Sequence, residues 1–349
     1  MAYYTHDRLG RALLGARRPS INDYFLSAYT AAIYSGCEIG CPYCDGWAYG
    51  TRPLNETVRI ADDLPQRAAD ELRDLDRGDL VAFTALSDPY QAAEAAYRLT
   101  RQTLQAFVAA NQPCLVLTKS HTILEDRVLF EQLNQTSLGV VMFTLLTIDP
   151  FLSTKLEDKA SAPAMRLEAI GELKRAGVPV GVAIIPLVPY VNDTDLVINT
   201  TLRAVAEAGA DFVVWDFLHI PNERHRRRVS DMLARIGRYP PSYYRDLYGG
   251  SPLPDAAYRA DRDAALLRRC DELNLAVRPP HALYRGRLSP QNEAALLLKH
   301  AAYRDRVLGR ANLARAASEL ADDIYSGVAT QADLRASALY PSLRSILGA

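Results

Sequence analysis

Short, nearly unbroken apolar runs recur along the chain, at about residues 29–35, 80–86, 114–118, 139–146, 180–186 and 212–217. Runs of that length without alternation suit strands covered on both faces. Between them lie segments of helical period, near 64–78, 94–110, 122–135, 163–177 and 195–209. Gly177 followed by Pro179 stops one of these helices before the next strand. The regular alternation predicts repeated βα units and an α/β fold, either a partial barrel or an open doubly wound sheet around parallel strands. In both arrangements ligands sit at the C-terminal ends of the strands, so the residues just after each run are the candidates for chemistry. Past about residue 220 the pattern changes to "PNERHRRR", "RYPPSYYRDLYGGSP" and long Ala/Leu/Arg helices. The expected layout is an N-terminal arm over 1–28, a barrel over 29–220, and a C-terminal substrate-side and helical extension over 221–349.

Composition adds boundaries rather than detail. The 349 residues are 49% apolar, enough for a large core, and the formal net charge is -1, so no global field draws the chain to nucleic acid or acidic lipid. Most basic residues are arginine, which suits bidentate contacts to carboxylates or phosphates and equally reflects compositional bias. No apolar run approaches the roughly 20 residues of a membrane helix. The stretch "MAYYTHDRLGRALLGARRP" has no long apolar segment leading to a small-residue cleavage site. Five cysteines, an odd number, argue for reduced thiols rather than a disulfide framework. The expected location is the cytoplasm.

Three of those cysteines fall within eight residues, "CEIGCPYC", as Cys37, Cys41 and Cys44. A structural zinc site wants four closed ligands, commonly two separated Cys-x-x-Cys pairs. The remaining Cys114 and Cys270 are single and distant, and Cys114 lies in an apolar strand where a small buried thiol is the ordinary explanation. Three thiolates can instead hold three irons of a cubane, leaving one iron for a non-protein ligand. No Walker loop, Gly-x-Gly-x-x-Gly fingerprint or Ser-His-Asp grouping is present.

The spacing Cys-x3-Cys-x2-Cys with an aromatic residue before the last cysteine, following a predicted strand, resembles the signature of radical S-adenosylmethionine (radical SAM) enzymes. Further segments, "ALSDPYQAAE", "LTRQTL", "LVLTKS", "LTIDPFLSTKLEDKASAPAMRLEAIGELKRAGVPVGVAIIPLVPYVND" and "LHIP", resemble the branch that contains spore photoproduct lyase. The resemblance implies a partial (β/α)6 TIM-type barrel and one 4Fe–4S cluster on Cys37, Cys41 and Cys44. It implies reductive cleavage of S-adenosylmethionine to a 5'-deoxyadenosyl radical that abstracts hydrogen from a substrate. Cofactor contacts carried over by position are Tyr43 beside the adenine, Ser87, Lys119 and Thr144 after successive strands, and the main chain near Ile185. Reduced flavodoxin or ferredoxin is the implied electron donor.

Two positions depart from that branch. Ala85 stands where the lyase has its hydrogen-donating cysteine, and Asp45 where an aromatic residue is frequent. The cofactor half is therefore expected to be shared and the substrate half not. A nucleotide or nucleic acid is the leading substrate class, with a small metabolite or natural-product intermediate as the alternative. A non-catalytic, zinc-stabilised nucleic-acid-binding module is the rival of another class.

Other stretches keep two readings each. Trp47 and Tyr49 in "DGWAYG" could stack on a flat substrate or shield the cluster. Asp216 and His219 in "WDFLHIP" are candidates for substrate binding or proton transfer, or structural groups. The run Arg224–Arg228 is a solvated helix face or a phosphate contact. "YPPSYYRDLY" lines a cleft or packs on the barrel.

Overall fold

The computed structural model describes residues 2–6, 12–50, 53–84, 87–237 and 241–348. Among these residues eight strands run in chain order as β1 (Tyr3–His6), β2 (Tyr29–Thr30), β3 (Thr57–Ile60), β4 (Val81–Phe83), β5 (Cys114–Thr118), β6 (Gly139–Thr144), β7 (Val180–Leu187) and β8 (Phe212–Phe217). Six form one sheet in the order β2-β4-β5-β6-β7-β8, and every neighbouring pair is parallel. The sheet curls into the partial barrel expected from the apolar runs. The two remaining strands, β1 and β3, pair in parallel beside it.

The helices are α1 (Gly46–Tyr49), α2 (Leu64–Glu71), α3 (Ala93–Tyr97), α4 (Leu99–Ala110), α5 (Arg127–Thr136), α6 (Pro150–Glu157), α7 (Pro163–Arg175) and α8 (Asp195–Glu207) in the first part of the chain. They are followed by α9 (Glu223–Ile236), α10 (Pro241–Tyr248), α11 (Ala256–Glu272), α12 (His281–Tyr284), α13 (Pro290–Val307), α14 (Ala311–Ser326), α15 (Gln331–Ala336) and α16 (Tyr340–Leu347). A 3-10 turn, His121–Asp126, precedes α5.

Both faces of the sheet are buried, which is why its strands read as continuous apolar runs. On the convex face Phe83, Val116, Phe143, Val182 and Trp215 join a core with Phe107, Phe130, Leu173 and Leu202 of the surrounding helices. On the concave face Leu115, Met142, Ala183 and Val214 meet Leu298 of α13 and Ile324 of α14. Ile21, Leu26 and Ala28 are buried in this same concave core, so part of the segment read as an arm fills the inside of the barrel.

Several elements differ from the sequence expectation for local reasons. The run 29–35 is regular only over Tyr29–Thr30. Beyond it Ala32 N donates to Leu13 O and Arg59 N to Ser35 O, so the chain leaves the sheet for other partners before the cysteines. The helix expected over 94–110 is broken at Arg98, whose φ of 51° is left-handed. Helix α6 has no counterpart among the expected elements; Asp149 caps it by accepting from Phe151 N and Leu152 N, with Pro150 in the first turn. Among the described residues no helix is long and apolar enough to cross a membrane.

Gly181 tests how the concave side packs. Phe212 is its partner across β7 and β8, and a Cβ on Gly181 would lie 2.3 Å from the Phe212 ring. Gly181→Ala is expected to destabilise the fold by about 1–3 kcal/mol through overpacking, read as a lowered denaturant midpoint, with Phe212→Leu restoring part of the loss.

Candidate active site

The cysteine loop leaves the end of β2 and is held from every side. Gly36 takes φ +100°, and a Cβ there would sit 2.1 Å from the Thr57 carbonyl oxygen. Gly40 takes φ +61° against the Asn55 side chain. Both positions need glycine, for backbone conformation and for space. Cys37 N donates to Leu54 O at 2.9 Å, and Gln91 Nε2 donates to Gly36 O at 3.1 Å. The Glu38 carboxylate accepts from Ala93 N at 2.7 Å and so ties the loop to α3. Trp47 Nε1 donates to Cys41 O at 2.9 Å, and a His225 ring nitrogen hydrogen-bonds Tyr43 O at 3.1 Å.

All five cysteines are free. Cys37, Cys41 and Cys44 line one cavity of about 530 Å³ with Ser87, Asp88, Thr118, Lys119, Thr144 and Tyr49. Burial raises the pKa of all three thiols, with the Lys119 charge opposing the shift at Cys41 and Cys44. Cys114 and Cys270 are fully buried in β5 and α11, away from this loop, so a four-thiol zinc site has no fourth member. Among the described residues no three His, Cys, Asp or Glu side chains are grouped to hold a single metal ion. A wall of three thiols facing a ligand-sized space instead fits a polynuclear cluster with an organic partner.

Lys119 follows β5 and reaches into the cavity. Its ammonium donates to Thr144 Oγ1 at 3.1 Å and lies 3.9 Å from Glu157. Burial opposes its charge, yet Glu157, Cys41, Asp88 and Cys44 together hold its pKa above the ordinary value. Asp88 fixes its backbone: one oxygen accepts from Thr118 Oγ1 at 2.7 Å and the other from Lys119 N at 2.7 Å. Burial raises the Asp88 carboxyl despite these donors. Ser87 donates to Tyr34 O at 2.9 Å on the cavity edge.

Tyr43 does not line the cavity. It is buried beneath it, its hydroxyl donating to Glu157 and its ring centroid 6.0 Å from Lys119 Nζ. Glu157 in turn accepts from Arg166 Nη1 at 2.7 Å, and this ion pair is 0% and 1% exposed. Ile185 is half-buried against the concave core and also lies off the cavity. Asp216 is exposed at the end of β8, where Tyr24 donates to it at 3.4 Å. His219 turns toward Asp45 at 4.0 Å. The structure thus brings Ser87, Lys119 and Thr144 to the thiols and leaves Tyr43, Ile185, Asp216 and His219 outside that cavity. Ala85 lies outside the described residues.

The ambiguous stretches resolve by packing. Trp47 is 5% exposed and covers the loop, whereas Tyr49 is 67% exposed at the cavity rim. Arg228 stacks on Trp47 at 3.4 Å, and Arg224 donates to Gly50 O, so the arginine run pins the segment after Cys44. Tyr244 and Tyr248 stack on each other and donate to Pro189 O and Leu218 O. Asp88, Glu157, Arg166 and His225 lie within the segments quoted above, but nothing in those segments separates them from their neighbours.

The family model of the Radical SAM superfamily matches residues 32–198, the stretch that builds this cavity. Over that stretch the chain carries a radical SAM domain. It is a radical SAM enzyme, and the domain implies S-adenosylmethionine, an iron–sulfur cluster and a source of reducing electrons. It is 29% identical over 244 residues to an uncharacterized protein of Mycobacterium bovis, covering 66% of this chain and 70% of that one. An uncharacterized protein of Methanocaldococcus jannaschii is 23% identical over 220 residues, covering 62% and 78%. Among solved structures, spore photoproduct lyase complexed with dinucleoside spore photoproduct aligns at a TM-score of 0.58 and 13% identity, over 77% of this chain and 79% of that one. A mutant of that lyase with bound AdoMet and dinucleoside spore photoproduct aligns at 0.54 and 13%, over 71% and 74%. At that identity the likeness is one of fold.

The buried pair gives this radical SAM enzyme a sharp stability test. Arg166→Met leaves Glu157 charged, buried and without its guanidinium, and is expected to cost about 3–5 kcal/mol in denaturant unfolding. Adding Glu157→Gln is expected to recover most of that loss.

Proposed function

We propose that Cys37, Cys41 and Cys44 hold a 4Fe–4S cluster whose open iron takes S-adenosylmethionine. When bound, the cluster supplies the electron that cleaves the sulfonium to methionine and a 5'-deoxyadenosyl radical, which abstracts hydrogen from the substrate. The observation that carries this reading is the meeting of three free thiols with Lys119, Ser87 and Thr144 on one cavity.

Each residue has a definite task. Lys119, held cationic by its neighbours, binds the carboxylate of the methionine moiety, with Asp88 fixing its position. Ser87 and Thr144 offer hydroxyls to the cofactor's polar groups at the strand ends. Tyr43 supports the loop from below through Glu157 and leaves adenine stacking to other groups. The Ile185 main chain is a contact on the barrel side. Trp47 and Arg228 exclude water from the loop, which limits quenching of a radical.

The substrate enters at the strand tips beside Asp216, to which Tyr24 donates, with His219 available for proton transfer. A nucleotide or nucleic acid is the proposed class. Its support is the fold shared with a lyase solved with a dinucleoside photoproduct. With Ala85 in the hydrogen-donor position, the chain is proposed to act on a different lesion or nucleotide, not to repeat the lyase cycle. Unpaired cysteines fit a reducing compartment such as the cytoplasm.

Anaerobic reconstitution is expected to give about four irons and four sulfides per chain. Dithionite with S-adenosylmethionine should then yield 5'-deoxyadenosine. Cys41→Ala should lose both the iron and the product; persistent product formation would overturn the cluster assignment. Lys119→Met should keep its iron but bind S-adenosylmethionine at least about tenfold more weakly, as the loss of one charge-assisted contact implies. Unchanged affinity would remove Lys119 from the cofactor site.

A further inference from the structure

The chain carries formal charge -1, yet α9 holds five arginines, Arg224, Arg226, Arg227, Arg228 and Arg235, against Glu223 and Asp231. Its apolar side, Val229, Met232, Leu233 and Ile236, is buried, and His225 is buried beside the cysteine loop. Arg224, Arg227 and Arg235 remain exposed. Arg227 is held only loosely, its side chain 80% exposed and 3.7 Å from Glu223.

What lies beneath this face gives it a purpose. Arg228 sits 3.4 Å from the Trp47 ring, and the same indole donates to Cys41 O. Arg224 reaches Gly50 O, and Asn222 Nδ2 donates to Ala48 O at 3.0 Å. A single aromatic layer therefore connects the basic face to the thiol loop. No residue of α9 lines the thiol cavity itself. A substrate phosphate seated on α9 would lie behind the cavity wall, beyond reach of the chemistry. An electron has only to cross that wall.

We propose that the exposed arginine face of α9 is the docking surface for a small acidic one-electron carrier that reduces the centre held by Cys37, Cys41 and Cys44. The proposal rests on the radical SAM reading above and adds where its reductant binds. The carrier, a reduced flavin or iron–sulfur protein, is oxidised by one electron and the centre is reduced by one; no atom is transferred. Electron-transfer encounters are small and weak, and charge steers them more than buried area does. Their affinity and rate accordingly fall with ionic strength.

The probe is an acidic flavodoxin carrying its flavin, tested against wild type and Arg227→Glu/Arg235→Glu. By calorimetry at low salt the double variant should bind it at least tenfold more weakly. Flavodoxin-driven formation of 5'-deoxyadenosine should fall by a similar factor, while the dithionite-driven rate stays at the wild-type level. Arg227→Lys/Arg235→Lys keeps the charge and should behave as wild type. Equal flavodoxin affinity in wild type and the charge-reversed variant overturns the proposal. So does loss of single-stranded DNA binding in that variant with the flavodoxin-driven rate untouched, which would make α9 a nucleic-acid contact. If wild type makes no 5'-deoxyadenosine with dithionite, the radical SAM reading fails instead, and the calorimetric comparison still decides whether the face docks the carrier.

Discussion

Glu157 is the carboxylate on which the site's geometry depends. It accepts from Tyr43 on the cysteine loop and from Arg166 on α7, and it lies 3.9 Å from Lys119 after β5. One buried anion thus joins three parts of the chain that meet only in the folded state. An ionised carboxylate in so dry a place is tolerable only with strong partners, and here it has a fully buried guanidinium and a phenol. In return, the loop that presents Cys41 and Cys44 is locked to the strand ends that present Lys119 and Thr144. Thiols and ammonium are thereby preorganised around the same space, so a bound cofactor would not have to order them.

The second constraint comes from the far end of the sequence. Helix α9 closes the outer side of the loop through Arg228 on Trp47 and His225 on Tyr43. The α13 and α14 pair, with residues 21–28, fills the concave side of the sheet. A half-barrel exposes a large apolar inner surface, and these segments remove it from water at about 25 cal/mol per Å² of apolar area. At the strand tips the thiol cavity stays open, and past β5 so does a space lined by Lys119, Ser120 and His121.

Much of the fold was legible because its signals are local. Five of the six barrel strands fall on unbroken apolar runs; Ser87 and Lys119 stand just past such runs, whereas Thr144 lies inside the run over 139–146 and was carried over with them from the family resemblance. The thiols were legible because eight contiguous residues carry them. Glu157 was not, since its partner Tyr43 is 114 residues away and nothing in "STKLEDK" marks one acid among the others. Tyr43 was placed by position in a motif, but position does not fix where a side chain points; a carboxylate below the loop draws the Tyr43 phenol away from the cavity. The arginine run read as a solvated face or a phosphate contact, yet two of its members are spent on an indole and a carbonyl. The break at Arg98 was equally hidden, since a left-handed residue within a helical pattern depends on what α3 and α4 pack against.

The central claim is that the three thiols hold a cluster with a corner open to S-adenosylmethionine. Electron paramagnetic resonance of the anaerobically reduced, reconstituted protein, recorded with and without S-adenosylmethionine, tests it most directly. The account predicts a reduced-cluster signal whose g-values shift when S-adenosylmethionine is added. A signal indifferent to S-adenosylmethionine, or a reconstituted protein with no cluster signal, would contradict it.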